Sequence, residues 1–270
     1  MIKATLIDHM GNDLTVVNAA RVSFGKKREA LGFVEIGGVM QPVLHDTDTK
    51  LINYLAKHRH TSPFGHCFAS FHVKAPIFVA RQLVKHKFLR WNEISRRYVD
   101  DEPEFYVPDG WREKSNDKKQ GSGDRFVNVL PQDDTEDFAS DKDYLAEFWE
   151  VETTGYVEDN SYCPSLTVYE DLLEAGVCPE QARMVLPQST MTEWYWSGSL
   201  DAFADMCILR CKDDTQEETR VVAQQISEVM LSLFPNSWHS LLGLTQVSIR
   251  EMTEGERQRG KERSVTNGRR

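Results

Sequence analysis

Seventeen consecutive residues, RQLVKHKFLRWNEISRR, carry Arg81, Lys85, Lys87, Arg90, Arg96 and Arg97 against one carboxylate, Glu93. With His86 counted as neutral the segment holds +5, in a chain whose 32 basic and 42 acidic side chains leave −10. On a helix, Arg81 and Lys85 are i, i+4 neighbours, as are Gln82 and His86. Like charges at that spacing repel. The segment is therefore either a solvated basic face or a site for an anion, and a phosphate answers it well through charge-assisted hydrogen bonds. Two more arginines stand among apolar neighbours, Arg183 in QARMVLP and Arg210 in MCILRCK. A guanidinium in such surroundings must find an anion or leave the core. A carboxylate of the chain would serve, as would a ligand phosphate or a pyrimidine carbonyl.

Histidines gather in KHRHTSPFGH, at His58, His60 and His66. A metal site is a weak reading, because the stretch has no HExxH pattern and no carboxylate. A histidine that stacks on or bonds to a cofactor, or a structural one, fits better. The five cysteines (Cys67, Cys163, Cys178, Cys207 and Cys211) are odd in number and form no CxxC pair. That usage points to a reduced, cytoplasmic compartment. Cys207 and Cys211, spaced i, i+4 in an apolar helical stretch, read as buried thiols.

These residues need elements to hold them. Thr47 to His58 has a helical apolar face of Leu51, Ile52, Leu55 and Ala56, with Asp48 or Thr49 as its cap. His66 to Lys74 alternates like a strand. Pro76 suits the first turn of a helix running to about Lys87. Residues 26–45 read as loop, and 100–145 as a surface excursion rich in Pro, Gly and charge. Helical patterns return at 143–176, ending at Gly176, and at Pro179–Leu186. A strand is expected at Thr190–Trp196, then helices near 199–212 and 214–233. The last twenty residues carry six basic and four acidic groups and almost no apolar ones, the composition of a mobile tail.

Length fits either one large domain, over 1–250 with the charged tail at 251–270, or two small ones. At 40% hydrophobic and 27% charged the chain can build a sizeable core. No apolar run reaches the ~18–20 residues of a membrane span, and the N-terminus lacks a secretory apolar region. The negative net charge argues against a general nucleic-acid or anionic-membrane binder, and leaves small anionic ligands open.

The stretch HTSPFGHCFASFHVKAPIFVARQLVKHKFLRWNEISRRY resembles the flavin-dependent thymidylate synthases, closely and in order. Their signature is Arg-His-Arg, seven residues, then Ser; here it reads Lys85-His86-Lys87, seven residues, then Ser95. The likeness extends to AARVSFGK, LINYLAKHRHTSPF, FYVPDGWR…KQGSG, and ARMVLPQSTMTEWYW followed by LRCKDDTQEE, so it spans about residues 15–235.

The resemblance implies an α/β fold, a single domain with a twisted antiparallel sheet flanked by helices. It implies methylation of dUMP at C5 to dTMP, with methylenetetrahydrofolate as one-carbon donor and FAD, reduced by NADPH, as the source of hydride. It also implies a homotetramer with active sites shared between subunits, no resident metal and no cysteine nucleophile. Arg183 then lies beside the uracil, Gln82, Glu93, Ser95, Arg97 and Arg210 match positions that hold dUMP, and Arg96 adds a cation beside the phosphate position. Ser95 has no nearby base, so it is assigned to phosphate binding and not to covalent catalysis. His60, Ser62, Lys85, His86, Lys87, Tyr98, Asp205 and Asp214 match cofactor-facing positions.

The chain departs from the family pattern in places. Lysines at 85 and 87 keep the charge but lose the planar fork of arginine. Gly65 stands where Glu is usual, and Arg96 where Gly is common. Ser199, Asp201, Asp205 and Asp214 occupy positions that often hold Asn, Arg, Asn and His against FAD. A carboxylate ~4 Å from a like charge is repelled by about 4 kcal/mol at an effective dielectric constant of ~20. Two other outcomes stay open on the same fold: a related C5 modification such as hydroxymethylation, on dUMP or another pyrimidine nucleotide, and a non-catalytic nucleotide binder with a decayed flavin site.

Overall fold

The computed structural model describes residues 1–99, 101–114, 122–126 and 164–243. The helical reading over 143–163, most of the surface excursion and the charged tail lie outside the described residues.

In chain order the elements begin with strand β1 (Lys3–Met10) and helix α1 (Asp13–Arg21). The hairpin β2 (Gly32–Ile36) and β3 (Val39–Val43) follows, then α2 (Asp46–Lys57), β4 (Phe68–Pro76), α3 (Ile77–Leu83) and β5 (Leu89–Glu93). A second hairpin pairs β6 (Arg112–Lys114) with β7 (Ser122–Phe126). The C-terminal half holds α4 (Pro164–Glu174), α5 (Pro179–Ala182), β8 (Met191–Ser199), α6 (Leu200–Arg210), α7 (Glu217–Leu233) and α8 (Pro235–Leu242). The central sheet has the order β1-β4-β8-β5, antiparallel throughout.

Period-two alternation builds this sheet. One face of β4 presents Ala69, Phe71, Val73 and Ala75, all buried, and β8 adds Trp194 and Trp196. Register sets Phe71 opposite Trp196 and Val73 opposite Trp194, while Trp91 of β5 stacks on Trp194 at 4.3 Å. Phe203 of α6 closes on Phe71 and Trp196 at 5.3 and 5.6 Å, edge to face. Helix α7 completes this core with Val222, Ile226 and Met230. The other face of β4 and β8 is polar: Ser70 meets Ser197 at 2.8 Å, and His72 and Lys74 meet Glu193 at 3.0 and 3.6 Å.

Two buried carboxylates tie distant segments together. Asp13 accepts the backbone N–H groups of Asn236 and Ser237 at 2.8 and 2.9 Å, capping α8 from the first turn of α1. Burial raises its pKa in spite of those donors. Asp48 takes Arg21 and, at 3.2 Å, Arg28. Asp48 is therefore an ion-pair partner and not the cap of α2, whose capping position is His45.

Three further expectations are corrected. Residues 26–45 are not all loop. GFVEI and VMQPV pair across Gly37-Gly38, whose positive φ values of 57° and 81° make the tight turn. The helix from Pro76 ends at Leu83, not near Lys87. Phe88 turns the chain at φ 64° into β5, so Lys85 and His86 leave the helix and their i, i+4 relation to Arg81 and Gln82 is not helical. Helix α8 has no counterpart in the sequence reading; Pro235 opens it and Gly243 (φ 67°) closes it.

Candidate active site

The candidate residues fall into three groups on three sets of elements. The first surrounds a cavity of about 260 Å³ where the end of β5 meets the bend after α5; Glu93, Arg96 and Arg183 line it. Glu93 is fixed at both oxygens, accepting from Thr192 Oγ1 at 2.7 Å and from Trp91 Nε1 at 3.0 Å. Arg96 donates to the Asp101 carbonyl at 2.7 Å. Ser95, Arg97 and Tyr98 form the adjoining turn. The Ser95 hydroxyl accepts from Arg97 Nε at 3.0 Å, the Arg97 guanidinium lies 5.0 Å over the Tyr98 ring, and Arg97 reaches Glu180 of α5 at 4.0 Å. Arg183 is exposed, and its side chain makes no ion pair or hydrogen bond among the described residues, leaving its donors available.

The same cavity holds residues that carry no signal in the sequence reading. Lys74 bonds Glu104 and Glu193, and both carboxylates line the wall together with Asp101 and Glu102. Lys74 thus offsets part of that acidic wall, pairing with two of its four carboxylates. The available signal is its place on the polar face of β4. Thr192 and Trp91, the groups that hold Glu93, carry no motif of their own.

The second group sits at the other end of α3. Ile77 lines the first cavity, whereas Gln82 lies five residues on, roughly 7.5 Å along the helix axis at ~1.5 Å per residue. Arg210, at the end of α6, donates through Nε to His86 Nε2 at 3.0 Å and through Nη2 to the Gln82 carbonyl at 3.3 Å. Thr219 donates to Gln82 Oε1 at 3.2 Å, and Gln82 Nε2 donates to Gln216. Burial and the Arg210 charge push His86 down to about 4. The imidazole is therefore neutral, with Nε2 free to accept. Burial also lowers the Arg210 pKa from its usual value, yet an arginine stays cationic at neutral pH. Its acceptors are a neutral ring and a carbonyl, so its charge is not cancelled locally.

The third group follows α2. Tyr54 and His58 lie with ring centroids 4.3 Å apart, and His60 stacks at 6.0 Å from Tyr54. Ser62 is exposed in the next turn. Arg59 reaches Asp205 of α6 at 3.7 Å, and Asp201 accepts from Ser199 in the first turn of that helix. One acid is thus paired with a cation, and the other sits where a helix dipole favours negative charge. Asp214 is exposed between α6 and α7, and Lys85 and Lys87 are exposed beside His86 without an ion pair among the described residues. The rings, the hydroxyl and the cations at 59, 85 and 87 fit a ring-bearing anionic cofactor.

The thiols differ in their surroundings, and a hydrogen bond with Cys207 lowers the pKa of the half-buried Cys211. Burial pushes Cys67 up to about 12, and the Cys207 thiol also rises well above its usual value on burial. Among the described residues no helix is long and apolar enough to cross a membrane.

The family described as thymidylate synthase complementing protein matches residues 5–236. A flavin-dependent thymidylate synthase of Thermus thermophilus is 37% identical over 233 residues, 86% of this chain and 73% of the relative. That of Kosmotoga olearia is 35% identical over 250 residues, 93% and 94% of the two chains. Among solved structures, a UMP/dUMP methylase PolB from Streptomyces cacaoi, bound with 5-Br dUMP, superposes with a TM-score of 0.69 at 28% identity, covering 92% of this chain and 97% of that one. The same methylase bound with 5-Br UMP gives 0.66, covering 90% and 94%. The chain belongs to the family of flavin-dependent thymidylate synthases.

Proposed function

We propose that the protein methylates dUMP at C5 to give dTMP, taking its one-carbon unit from methylenetetrahydrofolate and its hydride from FAD reduced by NADPH. The observation that carries this reading is the Arg183 guanidinium, unbonded among the described residues, at one cavity with the fixed Glu93 and with Arg96. C5 of uracil becomes nucleophilic as negative charge develops on the ring and its carbonyl oxygens. A guanidinium preorganised beside those oxygens stabilises that charge without reorganising. Glu93, locked by Thr192 and Trp91, is a fixed acceptor for a ribose hydroxyl or a ring N–H. Ser95, Arg96 and Arg97 supply donors for the phosphate, and Arg210 adds a partly desolvated, uncancelled charge.

Gln82, His86 and Arg210 lie at the opposite end of α3 from the Arg183 cavity. We assign the two groups to complementary halves of one site, joined between copies of the chain in a homotetramer. Bound FAD would supply the hydride. His60 and Tyr98 offer ring faces to it or to the folate, Ser62 a hydroxyl, Lys85 and Lys87 charge for the diphosphate, and His86, whose Nε2 accepts from Arg210, an Nδ1–H donor. The Arg59–Asp205 pair and the position of Asp201 remove much of the repulsion that acids at these positions would bring, and Asp214 stays in solvent.

The test is release of the C5 hydrogen of dUMP, dependent on methylenetetrahydrofolate, NADPH and FAD, with mass spectrometry of the product. A methyl product supports the reading. A hydroxymethyl product, or dUMP binding without turnover at any flavin concentration, overturns it. The likeness to a methylase crystallised with both 5-Br dUMP and 5-Br UMP favours a second reading, in which UMP is also accepted. Competition between the two nucleotides decides that point.

A further inference from the structure

A cavity of about 570 Å³ lies where the last turn of α6 meets α7 and α8, and it shares no lining residue with the Arg183 cavity. Cys207 and Cys211 line it, with Leu231 and Trp238 as apolar neighbours. The volume is within the roughly 300–1,000 Å³ of small-molecule sites, so a small reagent can enter. Four residues apart on one helix, the two cysteines stand one above the other on a single face. Cys211 closes α6. Its N–H reaches the Cys207 carbonyl at 2.9 Å, and at φ −85° and ψ 2° the chain leaves the helix there.

The two thiols divide access and depth between them. Cys207 is buried, at 1% exposure, and its Sγ donates to the Ala223 carbonyl at 3.5 Å. Cys211 is half-buried and reached from the cavity. A hydrogen bond links the two side chains and favours the Cys211 thiolate, while burial keeps Cys207 protonated. An accessible thiol eased towards its thiolate, with a second thiol in contact, is the arrangement of an oxidation-sensitive cysteine and its resolving partner. The backbone allows them to join. On a regular helix, Cβ atoms at this spacing are about 5–6 Å apart, and a disulfide needs about 3.5–4.5 Å. The gap of roughly 1–2 Å must be closed by backbone movement. Cys211 is where the backbone can give, because α6 ends at Arg210 and α7 begins only at Glu217.

We propose that Cys211 and Cys207 are a redox pair that closes to a disulfide on reaction with a hydroperoxide. The Cys211 sulfur attacks the peroxide, the O–O bond breaks, and the sulfur keeps one oxygen as a sulfenic acid while the other leaves as water or an alcohol. The Cys207 sulfur then displaces that oxygen from Cys211. The S–S bond forms, and the oxygen departs as water with the Cys207 proton. Two thiols are oxidised by two electrons in all, and one hydroperoxide is reduced by the same two. This chemistry is independent of the proposed reaction, because it is read without dUMP, flavin or turnover.

Peptide mapping tests the proposal. The full chain is reduced, freed of reductant, treated with hydrogen peroxide, alkylated and digested with trypsin. Trypsin cuts after Arg210, between the two cysteines, so the peptide ending at Arg210 and the dipeptide Cys211-Lys212 separate unless they are bridged. A bridged pair is expected, two hydrogens lighter than the sum of its parts and released by dithiothreitol. Cys207→Ala should stop the reaction at the sulfenic acid, seen as a dimedone adduct on Cys211. Cys211→Ser, a mild change at the end of a helix, should leave Cys207 a free thiol under the same treatment. Recovery of both wild-type peptides separately alkylated at excess peroxide, or a disulfide from either cysteine to a different one, would overturn the proposal. So would a dimedone adduct on Cys207 in Cys211→Ser, which would make the buried thiol the one that reacts first.

Discussion

The Arg183 cavity and the Arg210 cluster, both assigned to dUMP in the proposed reaction, present their cations differently. Around Arg183 the charge density is high and mixed: Lys74, Arg96 and Arg183 share a wall with Asp101, Glu102, Glu104, Glu193 and Glu93. Lys74 is paired with Glu104 and Glu193, whereas the Arg183 side chain makes no ion pair or hydrogen bond among the described residues. Around Arg210 charge is sparse. A single half-buried guanidinium leans on neutral acceptors, His86 Nε2 and the Gln82 carbonyl. A wall of mixed charge suits a group that must respond as charge develops on a ring. A lone, partly desolvated cation suits tight hold of a standing negative charge.

The sharpest way to break this contrast is Arg183→Ala. We expect turnover to fall by about 10²–10³-fold or more, as for removal of a preorganised oxyanion donor, with dUMP affinity much less changed and the fold intact. Activity near wild type would remove the assigned role. Arg210→Ala should act on the other quantity. Loss of a charged hydrogen-bond donor, worth about 1.5–3 kcal/mol, predicts roughly 10- to 100-fold weaker dUMP binding by calorimetry, with a smaller change in kcat. Glu93→Gln keeps the shape and the Thr192 contact but removes a charge, and a loss of about tenfold in kcat/KM is expected; pairing it with Thr192→Val should add little, because both act on one carboxylate.

The smallest effect is a pH dependence. The folded His86 pKa is lowered to about 4 from 6.5. The unfolded chain therefore takes up the proton first as pH falls, and the native state loses stability between about pH 6.5 and 4, with none lost above that window. Chemical denaturation at pH 7.5 and 5 should show the loss, and His86→Asn should remove part of it. An imidazole that titrates near 6.5 by NMR in the native protein would contradict the His86–Arg210 contact.

Legibility from sequence follows the range of each interaction. The strand containing Phe71 and Val73, and helices α2, α6 and α7, are readable because alternation and helical periodicity are local. The Gly37-Gly38 hairpin carries an equally local signal, two alternating runs around a two-glycine turn, and reading its glycines only as loop markers hides it. Helix α3 reads too long because nothing adjacent announces the turn at Phe88. The candidate residues themselves come from charge clustering and a family likeness, and Glu93, Arg96 and Arg183 do share a cavity. What holds them is not legible: Thr192 on Glu93, Glu180 opposite Arg97, and Arg59 on Asp205 join residues 83 to 146 positions apart in the chain. Nor does Asp48 read as a buried ion-pair partner, since its place at the start of a helix mimics a cap.

The central claim, that the Arg183 and Arg210 groups are halves of one site contributed by different copies of the chain, is tested most directly by complementation. Arg183→Ala and Arg210→Ala chains, the first with little turnover and the second with weakened dUMP binding, are co-expressed with different affinity tags, and the doubly tagged hybrids are assayed for release of the C5 hydrogen of dUMP at a dUMP concentration too low for either parent to turn over appreciably. The account predicts that hybrids recover activity, because a site can draw an intact Arg183 from one chain and an intact Arg210 from another. Hybrids as inactive as their parents, while hybrids of either variant with wild type remain active, would place both arginines of a working site in a single chain and contradict it.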